Sequence, residues 1–410
     1  MNKRLLTFLL ILIAIHSFGQ NNTSSSYSRF GIGLIESKAD ATLAGMGHTG
    51  VALSSSGYLN NINAASYSAL DSAHFLFNIQ GKTSFAKYQS NTSQQNNFDA
   101  NIESLSMGFR AGRNWGMGFS LSPYSSVGYK IDGEKYILGT TQTYPTQYLG
   151  EGGISQISWH NGFALFKNLS LGISASYLWG SSDIIEVSYY PSIIGETTYN
   201  ERNYHIATFL LQYGFQWQHT IGQNTLTLGA TANIATELDT YYKQLIYNDY
   251  TSDLSSNTKQ LNNALIPCAY QAGVSYANSK GWTLATDFRY DLWDKSELKV
   301  SNGKTRNTLA GSIGIQHKPT RYYSAYYRRI HYRLGAFYNQ EYLSIQEKNI
   351  DSKGLTAGIT LPMADGSRIN LAYEYKKSGT RQAGLVKETY QTIRIGLSFN
   401  ERWFQKRTFK

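Results

Sequence analysis

From residue 75 onward, large apolar residues of this chain fall on every second position. Phe75, Phe77 and Ile79 share one side; Leu105, Met107, Phe109 and Ala111 repeat the pattern, and Trp115, Met117, Phe119 and Leu121 repeat it again. Opposite the third set stand Gly116, Gly118, Ser120 and Ser122, so one face is greasy and the other small and polar. A period of two belongs to β-strands. Both a soluble sandwich and a strand held between lipid and a polar lumen alternate in this way, so the period leaves both open. Similar runs recur near 154–166, 169–181, 204–219, 224–238, 265–277, 281–293, 307–317, 329–342, 354–362, 367–377 and 389–400. With the first three they make fourteen, an even number. Each holds about ten residues or slightly more, enough to cross a bilayer at a tilt.

The connections separate the two architectures. AGRN, FKN, IGQN, NSKG and MADGS are short and rich in turn-forming Gly, Asn, Asp and Ser. They alternate with longer polar links at 88–100, 123–152, 182–203, 239–263, 294–306, 343–353 and 378–388, with 318–328 a medium exception. Short turns at one end and long loops at the other are the asymmetry of bacterial outer-membrane barrels, and a sandwich has no reason to sort its loops. Trp159, Trp179, Trp217, Trp282 and Trp293 fall at or near strand ends, where interfacial girdles would hold them. The pattern therefore predicts an all-β protein, a 14-stranded antiparallel transmembrane β-barrel over 74–400, with both termini on the periplasmic side.

The first nineteen residues read as a secretory signal. Lys3 and Arg4 precede an apolar run from Leu5 to Ile15, and Ser17 and Gly19 place small residues before a cut ahead of Gln20. No Cys follows the apolar run, so lipoprotein processing is not supported. Residues 20–73 then lack both periods. They are poor in charge and rich in Ser, Ala and Gly, as in GYLNNINAASYSAL. A barrel of fourteen strands is wider than its own side chains can fill, so the segment is expected to fold inward as a plug, or hatch. A disordered periplasmic tail is the alternative. Residues 401–410 would end in the periplasm.

Composition narrows the chemistry. Charged residues make up 16% of the chain, against roughly 25% in ordinary soluble domains. Tyr, at 32 residues, is abundant, and Cys268 stands alone, which excludes a disulfide scaffold and a Cys-based zinc site. The net charge of +10 is spread along the chain rather than gathered in a patch, so no nucleic-acid partner is expected. GMGHTG, residues 45–50, matches a dinucleotide fingerprint in letters but lacks the strand and helix that would frame it; its glycines suit close backbone packing. Trp159-His160-Asn161 among serines raises a barrel lipase, which requires a serine Oγ within reach of the imidazole. RYYSAYYRRIHYR, residues 321–333, interleaves Arg and Tyr and reads as a membrane-edge belt at the periplasmic side. No metal site, cofactor or enzymatic function is expected.

In the last strand, Arg394 and Gly396 followed by Leu397 and Phe399 resemble the C-terminal signal that barrel-assembly machinery recognises during insertion. The order of signal peptide, AGMGHTGVALSSSGYLNNINAASYSAL and fourteen strands resembles the FadL family of outer-membrane transporters, as do SYSRFGIG and GLSFNERWFQKR, which are similar to its Bacteroidota members. That resemblance implies an Asn-Pro-Ala motif in the hatch, matched here by Asn63, Ala64 and Ala65 with Ala in place of Pro. It also implies a lateral gap at an inward kink of the third strand. Pro123, Tyr124, Ser125, Ser126 and Gly128 stand at that position, and an ordinary strand end would use the same residues. The function implied is passive transport of hydrophobic small molecules, long-chain fatty acids or aromatic compounds, with outer-membrane lipids as surroundings. The rival expectation is a non-transporting structural or assembly subunit among other outer-membrane proteins.

Overall fold

The structure is a computed structural model that describes residues 23–190, 196–251, 255–261, 264–298, 300, 303–320, 325–363 and 366–403. The expected signal peptide, 1–19, and most of the expected tail lie outside these residues. Fourteen strands form one antiparallel sheet. β1 spans His74–Gln89, β2 Gln94–Gly112, β3 Trp115–Tyr136, β4 Thr143–Phe166, β5 Leu169–Tyr190 and β6 Glu196–Ile221. β7 runs Asn224–Asn233 and resumes at Asp239–Asn248; β8 begins as Ser255–Leu261 and completes as Ala269–Ala277. β9 is Trp282–Asp291, β10 Thr308–His317, β11 His331–Ile345, β12 Lys348–Pro362, β13 Arg368–Ser378 and β14 Lys387–Arg402. β14 pairs with β1 from His74 opposite Arg402 to Gln89 opposite Lys387, which closes the sheet into a barrel.

Burial is inverted relative to a soluble protein. Phe209, Leu355 and Leu334 are 69%, 65% and 61% exposed, whereas Ser158, Ser176, Thr356 and Thr360 are buried. Apolar side chains face outward because their solvent there is hydrocarbon, and hydroxyls and amides face a lumen in which they find partners. No described helix is long and apolar enough to cross a membrane; the chain crosses with strands.

Two expectations need correction. The long links were expected as loops, but β3 to β6 run far past the alternating stretches, and β3 and β4 pair without a break from Val127–Gly152 out to Tyr136–Thr143. Beyond the bilayer both faces of a hairpin meet water, so the ladder continues with no apolar alternation to announce it. Trp293 was expected in a girdle. It is buried in the bore and stacks on Tyr342 with ring centroids 4.5 Å apart.

Candidate functional site

Residues 23–70 run along the inward-facing side of the strands, most of them buried. They enter at the end with the long strands, where the Glu388 carboxylate accepts from Ser25 Oγ at 2.7 Å and Ser26 N at 3.1 Å. They leave at the end with the short turns, where Arg110 donates to the Leu70 carbonyl at 3.2 Å. Between these points the chain winds around the inner wall on a belt of glycines. A Cβ placed on Gly358, in β12, would sit 3.0 Å from the Gly45 Cα. On Gly335 in β11 and Gly314 in β10 it would come within 2.2 Å of Gly47 N and 2.3 Å of the Met46 carbonyl oxygen. The belt continues at Gly229 in β7 against the Val51 carbonyl, at Gly172 in β5 2.1 Å from Ala65 N, and at Gly116 in β3 1.9 Å from the Tyr67 carbonyl. Any side chain at these positions would occupy space that the inner backbone already fills. Such close approach is open to glycine alone.

Asn63 is the best-connected residue of the expected hatch motif. Its Oδ1 accepts from Ala65 N at 3.1 Å, capping the 3-10 turn Ala64–Ala69, and its Nδ2 donates to the carbonyls of Val51 at 2.8 Å and Phe215 at 3.0 Å. Ala64 and Ala65 lie on Gly162 and Gly172. An Asn at this point satisfies the start of the turn, a second stretch of the inner chain and the barrel wall together. Proline at position 64 is not needed to hold the turn.

A short helix, α1 (Ala41–Ala44), is capped by Asp40, whose Oδ1 accepts from Leu43 N at 2.9 Å. The GMGHTG stretch follows it as packed backbone. Gly47 N donates to Thr356 Oγ1 at 2.8 Å, and Gly50 N and Val51 N donate to Asp287 Oδ2 at 2.6 and 2.9 Å. Ionic links add to the seat. The His48 ring lies 2.7 Å from Glu374, Arg394 bridges Glu374 at 2.7 Å and Glu103 at 3.1 Å, and Lys82 pairs with Glu36 at 2.8 Å. Arg394 and Gly396 therefore face the lumen, Gly396 beside Ala41, while Leu397 and Phe399 lie on the opposite, outward face of β14.

The pairing of the third strand changes where the sequence places Pro123 to Gly128. β2 and β3 pair from Gly112–Trp115 only as far as Leu105–Leu121, while β2 stays with β1 and β3 stays with β4. The β3–β4 register slips between Pro123 and Ser125, and Tyr124 to Tyr129 are buried on both sides of the strand. Both faces are covered there although β3 keeps its pairing with β4. Its freed edge is taken by the inner strand Leu34–Ile35, which pairs with Ser126 and Ser125. Glu36 then spans the divergence, bound to Lys82 of β1 and accepting from Ser126 Oγ of β3 at 2.9 Å.

The space left in the bore is lined by charged, polar and apolar side chains together. An outer chamber of about 260 Å3 is lined by Glu36, Lys38, Asp287, Arg289, Glu341 and Lys376, among others. Beside it, the apolar stretch around Ile32 fills a greasy pocket made by Ile154, Leu178, Leu210, Trp293, Tyr342 and Leu343. The Tyr342 hydroxyl fixes that stretch, accepting from Ile32 N at 3.2 Å and lying 2.7 Å from the Gly33 carbonyl. His160 does have serines in reach, with Ser120 Oγ 2.9 Å from Nε2 and Ser174 Oγ 2.8 Å from Nδ1. Tyr67 stacks on its ring at 5.2 Å, and the adjoining cavity measures about 10 Å3, room for a water and no substrate. The glycine belt, the Tyr342 clamp and the Arg394–Glu103 pair were missed by sequence reasoning. Glycines on the lumen-facing side of most strands were the available signal.

The family model described as BamG matches residues 1–410. The chain belongs to the BamG family. No curated protein matches. Among solved structures, this BamG-family barrel is similar to the toluene transporter TbuX of Ralstonia pickettii, at 14% identity and a TM-score of 0.62, over 90% of this chain and 99% of that one. It is likewise similar to a Pseudomonas aeruginosa FadL homologue, at 13% identity and a TM-score of 0.62, over 90% and 100% of the two chains. The CymD monoaromatic hydrocarbon channel matches at 15% identity and a TM-score of 0.60, over 90% and 98%. These likenesses establish a shared barrel fold of the outer-membrane type. The FadL resemblance in the sequence holds at that level, and the family is BamG.

Proposed function

We propose that this BamG-family chain is a sealed outer-membrane barrel that works as a structural subunit of a larger outer-membrane protein assembly. The observation that carries this reading is the glycine belt, on which the inner segment is seated strand after strand. A plug held this closely does not slide aside without rebuilding its contacts with most of the wall. One feature supports the reading further: the greasy pocket is already filled by the chain's own Ile32 stretch. The family name BamG hints at association with barrel-assembly machinery. In this reading residues 1–19 direct export, 20–73 form the permanent plug with Asn63 as its anchor, and Arg394, Gly396, Leu397 and Phe399 serve insertion of the chain itself.

A second reading, passive passage of hydrophobic small molecules, is favoured by one specific observation: β2 and β3 part above Leu105 and Leu121 at the kink. On the barrel wall beside it an open recess of about 640 Å3 surrounds Gly152, Gly153, Trp179 and His205. Fatty acids or toluene-like molecules would then leave sideways past Tyr124 to Gly128. An affinity-tagged chain extracted in mild detergent distinguishes the two. Stoichiometric outer-membrane partners, with no uptake of labelled fatty acid or toluene by liposomes carrying the barrel, support the subunit. Uptake by the isolated barrel without partners overturns it.

A further inference from the structure

The inner segment divides the bore into two chambers of opposite character. The outer one mixes carboxylates with cations. The inner one, about 290 Å3 at the periplasmic end, is lined by Lys318, His331, Arg333 and Arg368, and no Asp or Glu lines it among the described residues. The rest of its surface combines hydroxyls and amides, as at Ser54, Thr283 and Asn370, with apolar groups such as Met46, Leu53 and Tyr58.

The two arginines are positioned by neutral partners. Arg333, only 5% exposed, donates to Gln316 Oε1 at 2.8 Å and to Thr360 Oγ1 at 2.7 Å. Thr360 in turn donates to Asn370, which donates to Ser398 at 3.0 Å, so the guanidinium is braced by a chain of polar groups across three strands. Arg368 donates to the Gly57 carbonyl at 2.6 Å. Asp40 and Asp71 are the acidic groups whose fields reach this cluster, and neither forms an ion pair with it. Two other cations of the lumen, the buried Arg394 and the half-buried Lys82, do have carboxylate partners. A buried guanidinium without one is costly unless an anion arrives from outside.

We propose that the inner chamber is a binding site for a small oxyanion, a phosphate or phosphate monoester, held between Arg333 and Arg368 with Lys318 at the mouth. Guanidinium forks match oxyanion geometry, and the surrounding hydroxyls and amides supply further donors. The volume suits a headgroup-sized ligand and no acyl chain. The site does not depend on whether the barrel transports.

The test is isothermal titration of the full chain in neutral detergent with inorganic phosphate and, separately, with glycerol 3-phosphate. Sodium chloride at matched ionic strength is the control. Saturable binding is expected. Arg368→Gln should weaken it roughly ten- to a hundredfold, the range expected for charge-assisted hydrogen bonds. Lys318→Gln, at the exposed mouth and away from the Gly57 contact, should weaken it about two- to fivefold. Tighter binding of glycerol 3-phosphate identifies a lipid headgroup as the source, and tighter binding of phosphate a free anion. Heat released in proportion to ionic strength alone, or saturable binding left intact in both variants, overturns the proposal.

Discussion

Replacing Gly172 by Ala tests the seating of the plug at its tightest point in β5. The added Cβ would fall 2.1 Å from Ala65 N and 2.4 Å from the Ala64 carbonyl carbon, both backbone atoms that cannot rotate away. Ordinary contact begins at 3.4 Å, so plug and wall must separate by about 1.3 Å at this point. Overpacking of this kind costs about 1–3 kcal/mol. The separation also stretches Asn63 Nδ2 to the Phe215 carbonyl and Ser68 to Ser170, each worth roughly 1 kcal/mol. The total, about 3–5 kcal/mol, favours an unseated plug by a factor of about a hundred to a few thousand at roughly 1.4 kcal/mol per decade. Gly311→Ala is the matched control, because its Cβ meets nothing nearer than Phe288 at 3.7 Å. Planar-bilayer conductance and protease cutting within 50–70 read the outcome. Gly172→Ala should show open-pore events and cleavage, and Gly311→Ala neither. A Gly172→Ala barrel as tight and as resistant as the parent would refute the idea that the glycines seat the plug.

Glu36→Gln removes the carboxylate that bridges Lys82 and Ser126 across the parting of β2 and β3, leaving a half-buried ammonium. A loss of about 3 kcal/mol is expected, read as a lower denaturant midpoint with increased labelling of a cysteine placed at Ser126. A cysteine pair at Ile35 and Ser125, which face each other in antiparallel register, should close into a disulfide that pins the inner strand to the kinked one. The pinned barrel is expected to complement a deletion strain fully if it is a subunit, whereas loss of complementation restored by reductant would point to a moving plug. Arg394→Met strands Glu103 and Glu374 without their cation and should cost about 3–5 kcal/mol, seen as loss of heat-modifiable migration. Phe399→Ala faces outward on the same strand; it should lower the amount inserted while leaving the unfolding midpoint of inserted barrels nearly unchanged.

Much of the architecture was legible along the chain. A strand between oil and a polar bore carries its two solvents on alternate residues, so the runs near 105–121 and 389–400 announced both the strands and the faces they present. Turn chemistry at AGRN, FKN and IGQN gave their order and orientation, because a tight reversal is a local event. The extension of β3 to β6 past the bilayer was not legible, since hydrogen bonding between chains needs no side-chain pattern once both faces meet water. The site was hidden for a different reason. Arg394 and Glu103 stand 291 residues apart, and Asn63 reaches Phe215 over 152, so no window of sequence contains both partners. The kink at Pro123 was readable as a break, but that Leu34 and Ile35 would cover it was not. Likewise each strand's glycines read, strand by strand, only as small residues on the lumen-facing side. Only closure of the sheet brings them to one level of one ring, where their missing side chains leave room for a second backbone inside.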